Sequence, residues 1–173
     1  MRPCFPLLTP DCVEHLLRNK ESLRALHIDF KAVYGVSDQF VNDAFLTKLT
    51  PRLRHFPVLQ SLFLNTTVVY GTADDEAEGL TVPLGTILPP SIVSLTMVEN
   101  ALVSPTLANL SADLCRIAEA ALQGQFPSLK AVTCDTPMPL DDSGLGDLFA
   151  QAGVDFRYED CPLSGRAHRR RRR

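Results

Sequence analysis

Four histidines, five cysteines and one run of acids are the side chains through which this chain could do chemistry. His15, His27, His55 and His168 lie far apart, and none has a second ligand four residues on. A zinc site needs Cys and His clustered at defined spacing. Cys4, Cys12, Cys115, Cys134 and Cys161 contain no C-x-x-C pair. Asp74-Asp75-Glu76-Ala77-Glu78 gathers carboxylates that could hold a divalent cation. It lacks the alternating ligands and central glycine of a calcium loop, so solvated acids on an exposed loop are the favoured reading. Asp141-Asp142 reads as helix capping rather than an acid/base pair. Cys134 falls in the inward register of a strand, a poor place for a nucleophile. Dinucleotide, P-loop and nucleophile-elbow patterns are absent from the sequence. The expectation is a chain with no catalytic residue, no metal and no cofactor.

A second chemistry sits at the C-terminus. Residues 164–173 are expected to form a disordered tail holding Arg166, Arg169, Arg170, Arg171, Arg172 and Arg173. Without those six arginines, eleven basic groups face twenty acidic ones, so the net charge of −3 becomes −9. Clustered arginines suit nuclear import or nucleic-acid phosphates. No aromatic residue is interleaved for base stacking. A tail that attracts anions without specificity is the competing reading.

The elements that must carry any surface are marked by a repeat. Leu23-x-x-Leu26-x-Ile28, Leu59-x-x-Leu62-x-Leu64, Ile92-x-x-Leu95-x-Met97 and Leu129-x-x-Val132-x-Cys134 begin 36, 33 and 37 residues apart. A recurrence at a period of about 20–50 residues suggests a solenoid. Side chains alternate faces along a strand, so each copy reads as a strand with its aliphatic pair inward. One such strand cannot bury its apolar face alone, whereas stacked copies can share a core. Phe56-Pro57, Pro89-Pro90 and Phe126-Pro127 precede three of the copies. Proline biases the residue before it away from the helical region, which separates helix from strand. A chance recurrence of leucines in a nonrepetitive α/β domain is the alternative.

The outward positions are then candidates for binding a protein: His27, Asp29, Phe63, Asn65, Thr96, Thr133 and Asp135. Phe63 is the one large apolar residue in that row, which suits a hot spot. Alternatively it packs beneath residues 65–90, a long acidic connection read as a loop.

Along the chain, Thr9-Pro10-Asp11 signals a helix up to Lys20. A second helix is expected from Ser37-Asp38 through Leu49, ended or kinked by Pro51, with residues 52–55 leading into the second strand. Strands are expected at about residues 22–29, 92–98 and 129–134, to the precision of such patterns. Leu107, Leu110, Leu114, Ile117, Ala118, Ala121 and Leu122 form the stripe of a helix over 107–123. Gly124 is its natural stop. Asp141-Asp142-Ser143 opens a short helix stopped by Gly153, and Val154-Asp155-Phe156-Arg157-Tyr158 alternates as a fifth, capping strand.

A hydrophobic fraction of 45% and a charged fraction of 21% fit a globular chain. No apolar run reaches the roughly 18 residues of a membrane span, so no membrane partner is expected. The apolar N-terminus is too short and proline-broken for a signal peptide. With an odd number of cysteines, this predicts free thiols and an intracellular location, cytoplasmic or nuclear.

Phe126-Pro-Ser-Leu-Lys-Ala-Val-Thr-Cys-Asp135, Leu145-Gly-Asp-Leu-Phe-Ala-Gln-Ala-Gly-Val-Asp-Phe156 and Leu88-Pro-Pro-Ser-Ile-Val-Ser-Leu-Thr96 resemble the leucine-rich-repeat region of fungal F-box-type proteins. The resemblance spans residues 22–163. It implies an α/β fold: an irregular leucine-rich-repeat-like solenoid over residues 1–163, with a parallel sheet of about four to five strands and helices on the convex side. It further implies a non-enzymatic protein-recognition scaffold, as in substrate receptors of ubiquitin ligases. Residues 1–21 lack the leucine-proline signature that opens an F-box, so the expectation is a truncated relative without the ligase-adaptor site. The alternative function is a nuclear or nucleic-acid-associated protein acting through its basic tail.

Overall fold

Each copy of the repeated motif forms a strand. The computed structural model describes residues 10–28, 49–70, 83–98, 106–136 and 144–160. Strands β1 (Ala25–Ile28), β2 (Ser61–Asn65), β3 (Ser94–Val98), β4 (Ala131–Thr136) and β5 (Asp155–Asp160) make one five-stranded sheet in the order β1-β2-β3-β4-β5. Every neighbouring pair is parallel. The molecule is an α/β protein.

The register aligns like with like. Leu26, Leu62, Leu95, Val132 and Phe156 are paired in one row, and Ile28, Leu64, Met97, Cys134 and Tyr158 in the next. These inward rows are buried from β1 to β4 and half-buried at β5. A slip of one residue would turn every one of them to the other face. The first motif positions Leu59, Ile92 and Leu129 are buried just ahead of their strands.

The Phe-Pro and Pro-Pro pairs have a specific job there. The Leu59, Ile92 and Leu129 amides donate to the carbonyls of Phe56, Pro89 and Phe126 at 3.3, 3.1 and 3.1 Å. Each is a four-residue turn with Pro57, Pro90 or Pro127 at its second position, where proline's fixed φ is already correct. Beyond the turns, the carbonyls of Arg24, Gln60 and Val93 each accept two amides from the following strand segment, at 2.7–3.2 Å.

Among the described residues the α-helices are α1 (Pro10–Arg18), α2 (Thr66–Tyr70), α3 (Leu84–Ile87), α4 (Thr106–Leu122) and α5 (Leu145–Gln151). In α4, Leu110, Leu114, Ile117 and Ala118 are buried. Leu122, expected in that stripe, is 45% exposed, because the helix ends there. Gly124 has φ +77°, and its amide and that of Gln125 bond back to Ala121 and Ala120 at 2.9 Å. Gly153 closes α5 in the same way, with its amide on Ala150 and that of Val154 on Phe149. Both are Schellman stops, in which glycine's lack of a Cβ permits the left-handed turn.

Three expectations change. Pro51 stands in the first turn of a 3-10 helix, Thr50–His55, so residues 52–55 are helical rather than a plain lead into the strand. Proline suits a first helical turn, where its missing N–H has no partner to lose. The connection after β2 is helical at both described ends, in α2 and α3. Its acidic residues 74–78 lie outside the described residues, as do 37–48 of the expected second helix. Finally, Gly144 stands at the N-cap of α5 with no side-chain cap bond, while Asp141, Asp142 and Ser143 are outside the described residues.

Candidate strand-face recognition site

The outward face follows from the same register. His27, Phe63, Thr96, Thr133 and Arg157 are paired side by side across all five strands. The neighbouring row is small: Ala25, Ser61, Ser94 and Ala131, ending at Asp155. Ser94 Oγ donates to Ser61 Oγ at 3.1 Å within it. Short side chains here leave the taller row accessible.

At one end of the tall row the rings of His27 and Phe63 are stacked, with centroids 3.8 Å apart and planes 20° apart. Strand spacing of about 4.8 Å brings paired outward residues within ring contact. His27 is exposed and Phe63 half-buried. Thr96 and Thr133 are half-buried in the middle. At the other end Arg157 donates from Nε and Nη2 to Asp155 Oδ2 at 2.8 and 2.7 Å. Asp155 and Arg157 are two residues apart on one strand and so share a face. The row therefore offers an aromatic plate, hydroxyls and a guanidinium already aimed by a carboxylate.

The structure brings His27, Phe63, Thr96 and Thr133 into this one line. Asp135 is half-buried in the next row, paired with Val98 and Glu159. Asn65 is corrected: it is 1% exposed and belongs to the interior. Alternation puts it outward, but it is the last residue of β2, which passes into α2 at Thr66 without a linker. A buried amide is retained where it is hydrogen-bonded. Asp29 and the tail arginines Arg166, Arg169, Arg170, Arg171, Arg172 and Arg173 lie outside the described residues. Arg157 is not among the outward candidates named from the sequence, yet it completes the row. Its signal was present in the alternation of Val154-Asp155-Phe156-Arg157-Tyr158.

Cys134 is fully buried in the inward row, and burial, then the neighbouring Asp135, pushes its thiol up to about 12. Nucleophilic cysteines have the opposite shift and partial exposure. Among the described residues, no three His, Cys, Asp or Glu side chains are grouped to hold a metal ion, and no helix is long and apolar enough to cross a membrane.

No family model, no curated protein and no solved structure matches this chain.

Proposed function

We propose that the chain is a non-enzymatic scaffold, leucine-rich-repeat-like in arrangement, that binds a protein partner on the outward face of its sheet. The observation that carries this reading is the continuous row His27–Phe63–Thr96–Thr133–Arg157, one residue from each of five successive parallel strands. Strand order that follows chain order, with a recurring proline turn and doubly accepting carbonyls between strands, supports a reading as stacked repeats. Solenoids present such rows as extended binding surfaces. An aromatic pair flanked by small residues and ending in an arginine fits the composition of interface hot spots. In this proposal the chain is a relative of F-box substrate receptors that retains their recognition surface.

A second reading rests on the six arginines of residues 166–173, through which the chain would associate with nucleic acid or enter the nucleus. One experiment separates the two. Proximity labelling in cells compares the wild type, a triple variant (His27→Ala, Phe63→Ala, Thr96→Ala) and a chain lacking 166–173. Partners lost with the triple variant and kept without the tail are expected. Partners lost only with the tail would replace the first reading by the second.

A further inference from the structure

The chain without its tail arginines is strongly acidic, yet one groove on its helix side is lined with the opposite charge. Its volume is about 580 Å³, and its wall carries Arg54, His55, Arg116 and Gln125 with no carboxylate among the lining residues. The apolar part of that lining is Pro83, Pro90 and Ala120, backed by the buried Leu88 and Phe126. Arg54 and His55 also line an adjoining groove of about 860 Å³, with Lys20, Arg52 and two acids, Glu14 and Glu21.

We infer that the 580 Å³ groove between the 3-10 helix and α4 binds a phosphate monoester, with its phosphate on Arg54, His55 and Arg116 and its apolar body against Pro83, Pro90 and Ala120. Arg116 is held for this role. Its Nη1 donates to the buried Asp113 Oδ1 at 2.8 Å while the side chain stays 63% exposed. One edge of the guanidinium is anchored and the remaining N–H donors are left for a ligand. Planar guanidinium groups match phosphate oxygens in pairs, and charge-assisted bonds of this kind are the strong ones. Among the described residues, neither Arg54 nor His55 makes an ion pair or a side-chain hydrogen bond, so neither must break one to bind. The volume falls within the range of about 300–1,000 Å³ usual for small-molecule sites, larger than an inorganic anion needs. This site is on another side of the molecule from the strand face and stands independently of the proposal made for it.

The test is an NMR titration of the full chain with phenyl phosphate and, separately, with inorganic phosphate. Saturable shifts are expected at the amides of Arg54, His55, Thr86 and Gln125, with phenyl phosphate the tighter ligand. Arg54→Ala should weaken phenyl phosphate about tenfold, the equivalent of one charge-assisted hydrogen bond. His55→Gln, a second exposed substitution, should weaken it as well. Arg18→Ala and removal of residues 166–173 should leave the affinity unchanged. The inference is overturned by an absence of saturable shifts, by undiminished binding in both groove variants, or by loss of binding on removing the tail. Equal affinity for the two probes would overturn the monoester assignment.

Discussion

The Tyr70 hydroxyl donates to Asp113 Oδ2 at 3.0 Å, and the same oxygen accepts the Leu84 amide at 2.8 Å. Tyr70 ends α2 and Leu84 opens α3, so a single carboxylate on α4 holds the two described ends of the segment between them. Asp113 is 3% exposed. Its other oxygen takes Arg116 Nη1, so the buried charge is hydrogen-bonded on both sides.

Asp113→Ala is expected to lower unfolding free energy by about 2–3 kcal/mol, the cost of losing charge-assisted bonds and stranding the Leu84 amide. Tyr70→Phe should cost about 1 kcal/mol and add little once Asp113 is already alanine. Urea melts of the two single variants and the double variant measure this. Additive losses would show that Tyr70 and Asp113 are not coupled.

Stability is expected to fall on the alkaline side. Burial, then Asp113, raises the Tyr70 hydroxyl well above its ordinary value of 10.0. Burial raises Cys134 from 9.0 to about 12. Both groups are neutral when protonated, and the unfolded chain releases their protons first as pH rises. Folded-state pKa values above unfolded ones give stability that is full below the unfolded pKa and lost above it. The Cys134 contribution is therefore complete below pH 9.0 and lost by about pH 12, and that of Tyr70 declines from pH 10.0 upward. Denaturant midpoints taken at intervals across this window should fall more gently in a Cys134→Ala, Tyr70→Phe variant than in the wild type. Equal slopes would reject the assignment.

The two sheet faces should differ in cost. Leu62→Ala and Leu95→Ala remove side chains that are each 1% exposed, and each is expected to cost about 2–5 kcal/mol. Thr96→Ala, half-buried on the outer face, should be close to neutral. Phe63→Ala should cost about 1 kcal/mol through its lost ring partner. Chemical denaturation compares the four, and equal losses on both faces would mean the register is wrong.

Asn65→Ala is expected to destabilise the fold by about 1–3 kcal/mol, because it removes a polar side chain from a position that is 1% exposed and disturbs the groups packed around it. Arg157→Ala, exposed beside Asp155, should change stability by less than about 0.5 kcal/mol. Thermal melts of both variants decide whether Asn65 is a structural or a surface residue.

Much of the sheet was legible because its determinants are local. A period of two separates Leu62 and Leu64 from Phe63 wherever the strand is placed. Pro57, Pro90 and Pro127 impose a turn through their own rings, and Gly124 and Gly153 stop helices through a conformation other residues avoid. Five strands and the α4 and α5 stops follow from the chain alone for that reason. Other features depend on residues distant in sequence. Asn65 obeys the alternation yet is buried, since burial is decided by whatever the fold packs around a side chain. Asp113 lies 43 residues from Tyr70 and 29 from Leu84, so no spacing rule links them. Arg116 reads as one surface charge among many until α4 is set beside the 3-10 helix and faces Arg54 across a groove. Sequence by itself determined the alternation along each strand and about where each strand lies, with the observed starts two to three residues later at Ala25, Ser94 and Ala131. Tertiary structure decided which outward ones stay exposed and which charges meet, because burial and electrostatics depend on distances that only the folded chain defines.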